Sequence, residues 1–90
     1  MSDADRLAEL RARVAVNDGE IVALVNERLR LVGEIWALKA DRGTPRLDPE
    51  RERRLRAQLD AENDGPLSAA GLERLVTELL ALTKSELERG

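Results

Sequence analysis

From Asp3 to Asp41 no proline interrupts the chain, and apolar residues recur at Leu7, Leu10, Val14, Ile21, Leu24, Val25, Leu31, Val32, Ile35 and Leu38. Steps of three and four residues mark one face of a helix, so the pattern predicts a single long helix over about residues 3–41. Gly19 and Gly33 each weaken it by about 1 kcal/mol relative to Ala, but no turn cluster stands beside either to end it. Arg42 to Leu47 reads as a loop, with Gly43 as the helix stop and Pro45 forbidding continuation. Asp48-Pro49-Glu50 then supplies an N-cap, a first-turn proline and an acidic first turn, which predicts a second helix over about 49–61 anchored by Leu55 and Leu59. Asn63-Asp64-Gly65-Pro66 is a turn, and Ser68 opens a third helix over about 68–88 with Leu72, Leu75, Val76, Leu79, Leu80 and Leu82 on its buried side. The expectation is an all-α fold: one domain over residues 1–90, with one long and two shorter helices.

These lengths do not match. At 1.5 Å per residue the first helix is roughly 60 Å long, more than two short helices can cover. A chain of 90 residues also buries only a modest core by itself. The leftover apolar stripe therefore calls for a second copy of the chain, giving an intertwined homodimer in which two long helices pair and the shorter ones close over them.

Composition narrows the chemistry. The net charge is −3, and Trp36 is the single aromatic residue, so the chain offers neither a basic field nor stacking platforms for nucleic acid. Cysteine and histidine are both absent, which removes thiolate nucleophiles, disulfides, the usual zinc ligands and the common neutral-pH base. No cofactor or metal is expected, and any chemistry must rest on carboxylates, arginine and lysine. The start, Met1 to Asp5, is polar and acidic, and no apolar run is long enough to cross a bilayer, so a cytoplasmic protein is expected.

Arg28 and Lys39 interrupt the long apolar stripe. Eleven positions apart, they differ by only about 20° in direction and bracket roughly three helical turns. Two readings stay open: the pair holds an anion, or the long side chains snorkel from the helix flank. Arg11 lies about 25 Å from Arg28 along the axis and cannot share a small ligand with it from the same chain. In an antiparallel pair of long helices centred near Ile21 or Val22, a second copy's Arg11 falls opposite position 33, between Arg28 and Lys39. Asp48, Arg51 and Glu52 form a polar first turn on the second helix, either as a cap with surface charges or as a rim over the first. Most of the 13 arginines should be solvated or in weak pairs such as Glu9 with Arg13.

Taken in order, Leu10-Arg11, Val25-Asn26-Glu27-Arg28, Glu34-Ile35 leading to Lys39, and Asp48-Pro49-Glu50-Arg51-Glu52-Arg53 closely resemble the AroQ-type chorismate mutases over nearly the whole chain. Asn63-Asp64-Gly65-Pro66 also resembles the turn before the last helix in family members fused to DAHP synthases. The resemblance implies an intertwined three-helix dimer whose sites each borrow an arginine, here Arg11, from the other chain. It implies that Arg28 and Arg51 bind substrate carboxylates and that Lys39 donates to the ether oxygen of the breaking bond. Glu52, with backbone near Asp48, would hold the ring hydroxyl, Ile35 would form an apolar wall, and Thr83 would help bind a carboxylate. Two positions depart from the family pattern. Leu87 stands where many members carry Gln or Glu against the ether oxygen, and Trp36 stands where Gly is usual, either as packing or as a wall that reshapes the pocket.

The implied activity is the pericyclic conversion of chorismate to prephenate in aromatic amino-acid biosynthesis, which needs no nucleophile, metal or proton shuttle. Alternatives on the same scaffold are rearrangement of 4-amino-4-deoxychorismate and isochorismate–pyruvate lysis. A non-catalytic helical interaction module is the alternative from another class. Expected partners are a small dicarboxylate, a second copy of the chain and a docked enzyme of the same pathway, with no nucleic acid and no membrane.

Overall fold

A computed structural model describes residues 2–89; the two ends of the expected domain, Met1 and Gly90, lie outside the described residues. It contains three helices, α1 (Asp3–Arg42), α2 (Pro49–Glu62) and α3 (Ala69–Arg89), with no strand among the described residues. Local chemistry sets each boundary. The Ser2 hydroxyl accepts from the Asp5 N–H at 3.1 Å and opens α1, satisfying one of the unpaired donors of the first turn. Gly43, at φ 70°, closes α1 in the left-handed conformation, with Gly43 N–H donating to the Ala40 carbonyl and Thr44 N–H to the Lys39 carbonyl. Glycine takes that φ without steric cost. Asp48 caps α2 by accepting from the Arg51 N–H at 3.2 Å, with Pro49 in the first turn. Ser68 is a cap outside the third helix, one residue before its first helical position, and accepts from the Gly71 N–H at 2.9 Å.

α3 packs against both α1 and α2. It supplies all the buried positions among the described residues: Leu72, Val76 and Thr83. Leu75 and Leu82, expected on the buried side, are about half exposed within the chain. The reason is geometric: a helix touching two partners along one narrow seam cannot turn both flanks inward. Leu55 and Leu59 on α2 are half-buried, consistent with their role as its apolar contacts.

The long helix is the outlier. Residues 2–24 are exposed throughout, including Leu10, Val14 (58% exposed), Ile21 and Leu24 (64%). The chain measures 61 × 28 × 16 Å with a radius of gyration of 17.3 Å, where about 12 Å is ordinary for a compact chain of this length. Its accessible surface of 7410 Å² exceeds by roughly 2,000 Å² that of a compact monomer of the same mass. No helix of the described residues is long and apolar enough to cross a membrane.

Candidate active site

The second half of α1, the α1–α2 loop, the first turns of α2 and the last turns of α3 enclose one cleft of about 900 Å³, a size suited to a small organic molecule. Arg28, Ile35 and Lys39 enter from α1, Asp48 caps α2, Arg51 and Glu52 enter from α2, and Thr83 enters from α3. Leu31, Val32, Leu47, Leu55 and Leu80 add apolar wall. The eleven-residue spacing of Arg28 and Lys39 thus brings both to one cavity. Six cationic and three carboxylate side chains line it, an excess of positive charge in a chain of net charge −3.

Arg28 is the most constrained of these cations. Its Nη1 donates to the Thr83 hydroxyl at 2.5 Å, and that hydroxyl donates in turn to the Leu79 carbonyl at 2.7 Å. Desolvation by burial lowers the Arg28 pKa from its ordinary value, because a neutral hydroxyl replaces little of the lost hydration of a cation. Among the described residues no carboxylate lies within ion-pair distance of Arg28, Lys39 or Arg51, whereas Arg6, Arg53, Arg56 and Arg89 all have acidic partners. The expected Glu9–Arg13 pair is replaced by Glu9 with Arg6, one turn earlier. Lys39 Nζ donates to the Arg46 carbonyl at 3.3 Å. Lys84, also at the cleft, pairs with Glu88, but Arg28, Lys39 and Arg51 stand beside apolar wall with no ion-paired carboxylate among the described residues, an arrangement that favours an amphipathic anion.

Two sequence-derived candidates stand apart from the cleft. Arg11 is exposed on the free half of α1, about 25 Å along the helix axis from Arg28. Leu87 does not line the cavity; its Cδ2 lies 3.7 Å from where a β-carbon on Gly33 would stand, so it packs over that glycine. The lining also includes Trp36, Arg46, Arg54, Gln58, Lys84 and Glu88. Arg46 stacks its guanidinium 4.5 Å from the centre of the Trp36 ring. Helical periodicity gives no signal for Arg46, which sits in a loop. Lys84 had one, as the residue next to Thr83 and the second of two lysines.

Comparison with known proteins bears on this geometry directly. A family model described as chorismate mutase type II matches residues 10–88. The solved chorismate mutase of Thermus thermophilus in its Form II is 38% identical, with a TM-score of 0.87, covering 93% of this chain and 96% of that one. Its Form I gives a TM-score of 0.84 at 38% identity, covering 87% of this chain and 98% of that one. No curated protein gives a significant match.

Proposed function

The chain belongs to the chorismate mutase type II family and to its reaction, chorismate to prephenate; from that premise we propose that the 900 Å³ cleft is the active site and that a second copy of the chain completes it. The observation that carries this reading is the convergence of Arg28, Lys39 and Arg51 on one cavity with no carboxylate of the described residues within ion-pair distance of them. Chorismate brings two carboxylates and an ether oxygen, one acceptor for each of these cations.

The rearrangement breaks the ether C–O bond and forms a C–C bond within one molecule, with no proton or electron exchanged with the protein. Catalysis can then come from conformation and charge alone. Arg28 and Arg51 clamp the carboxylates and hold the compact conformer in which the two carbon ends meet, a state rarely sampled in water. Lys39 faces the ether oxygen, where negative charge grows as the bond breaks, so its attraction is larger in the transition state than in the ground state. Glu52 and the backbone at Asp48 hold the ring hydroxyl, Ile35 supplies apolar wall, and Thr83 contributes by holding Arg28.

Two facts support a dimer. The apolar residues of the first half of α1 are exposed, and the roughly 2,000 Å² of surplus surface per chain is on the scale of an obligate interface. Antiparallel pairing of two α1 helices about Val22 would bring Arg11 of a second copy to position 33, between Arg28 and Lys39.

One experiment tests site and sharing together. Lys39→Ala should lower kcat about 10²- to 10³-fold while the protein stays folded, and Arg11→Ala should be impaired as well. Each hybrid of the two variants regains one intact site, so refolding them as an equal mixture should restore about a quarter of wild-type activity. An active Lys39→Ala protein would refute the assigned mechanism, and a mixture no better than its components would refute the shared site.

A further inference from the structure

The α1–α2 loop does more than join two helices. It is fastened to the last two turns of α1 at three points. The Lys39 carbonyl accepts from Thr44 N–H at 2.8 Å, the Lys39 ammonium donates to the Arg46 carbonyl at 3.3 Å, and the Arg46 guanidinium lies 4.5 Å from the centre of the Trp36 ring. Trp36 and Lys39 are three positions apart on one helix and so neighbours on its surface. A single loop residue, Arg46, thus touches both: its side chain rests on the ring and its backbone oxygen holds the ammonium. All three residues line the cleft.

We propose that Trp36 and Arg46 form a clasp that positions Lys39 for catalysis. The proposal rests on Lys39 being the ether-oxygen donor. A lysine ammonium sits on a flexible four-carbon stem and loses much rotamer freedom when fixed. The clasp imposes that order before substrate arrives. The Arg46 carbonyl takes one of the ammonium's three N–H donors and leaves the others for the ligand. Cation–π contact gives the loop its footing, because a guanidinium is attracted to the face of an indole ring. Neither residue need touch substrate, so both are positioning residues.

Loosening the clasp should act mainly on kcat, since a donor displaced by about 1 Å can cost up to about 10²-fold in rate while ground-state clamping by the arginines persists. Trp36→Ala and Arg46→Ala should each lower kcat about tenfold with KM within about twofold. Arg46→Ala keeps the backbone carbonyl and removes only the stacking group from a loop outside the core. Trp36→Phe and Arg46→Lys, which keep a ring face and a cation, should recover most of the loss.

A second measurement separates positioning from packing. The chain has two lysines, so 13C labelling of lysine Cε gives two signals, assigned with Lys84→Arg. In the intact protein, both alanine variants should increase the mobility of the Lys39 signal and leave that of Lys84 unchanged. The clasp is refuted if the Lys39 signal is unaffected in both, or if kcat falls without any change in it. Should the wild-type protein fail to turn over chorismate, the functional reading fails by itself, and the lysine signals still decide whether the clasp exists.

Discussion

Replacing Thr83 with Val preserves the shape of a side chain that is 5% exposed and deletes the hydroxyl that holds Arg28. Hydrogen bonds to charged groups contribute about 1.5–3 kcal/mol when buried. Arg28 is only partly buried, and water can replace some of the lost contact, which leaves about 1 kcal/mol, or roughly fivefold in affinity. In the proposed site Arg28 grips a carboxylate in the ground state and the transition state alike, so the loss should appear as a KM about fivefold higher with kcat within about twofold. Stability should change little: the Leu79 carbonyl loses only its second donor, since it lies within the hydrogen-bonded ladder of α3. Thr83→Ser restores the hydroxyl and should restore KM. The Arg28 pKa is lowered by burial, yet arginine stays protonated through the neutral range. Burial of its charge therefore costs stability at every neutral pH, relief would come only as pH rises through the folded-state pKa, and the KM ratio should be flat from about pH 6 to 9. Initial-rate kinetics on chorismate measure all of this. An unchanged KM in Thr83→Val, or a Ser variant as poor as the Val one, would show that the hydroxyl does not position Arg28.

Val14→Asp places a carboxylate on the exposed stripe of α1. It should halve the mass seen by analytical ultracentrifugation and abolish turnover, whereas in a self-sufficient monomer a surface change of this kind stays within about 0.5 kcal/mol. Gly33→Ala adds a methyl group at ordinary contact distance from Leu87; the gain in helix propensity should stabilise the fold by about 0.5–1 kcal/mol, read as a higher midpoint in urea. Leu87→Gln should give no increase in kcat, because position 87 faces Gly33 instead of the cleft, and should cost about 1 kcal/mol of stability from lost apolar contact; a faster enzyme would overturn that placement.

The elements were legible because each boundary rests on local chemistry. Gly43, the Asp48-Pro49 pair and Ser68 end or open helices through backbone geometry and capping, so the observed helices differ from the expected ranges by about one residue. The convergence of Arg28 with Lys39 was legible for the same reason, since helical periodicity is a local property. Contacts across helices were not. Nothing in the spacing says that Thr83 accepts from Arg28, that Leu87 turns toward Gly33, or that Arg46 reaches back to Trp36 and Lys39. Those depend on how α3 and the loop lie on α1, which is set by the sum of many packing contacts. The expected burial of Leu75 and Leu82 failed similarly: amphipathicity identifies a stripe, but not whether the same chain or another one covers it.

Scaffold and reaction make matching demands. A pericyclic step requires no group that changes protonation, so the cost of lacking histidine and cysteine is nil, while the requirement for fixed cations around a dianion is severe. Gathering cations in one monomer's core would be expensive, because each must be desolvated against its neighbours' repulsion. Splitting them between chains eases the problem. In the proposed dimer Arg11 would stay solvated on the free half of α1 until α1 helices pair, and the apolar area buried by pairing would offset the approach of like charges. On this reading the exposed Leu10 and Val14 beside Arg11 are part of the catalytic apparatus: they convert hydrophobic association into the placement of a charge, and the substrate's two carboxylates then neutralise what association has assembled.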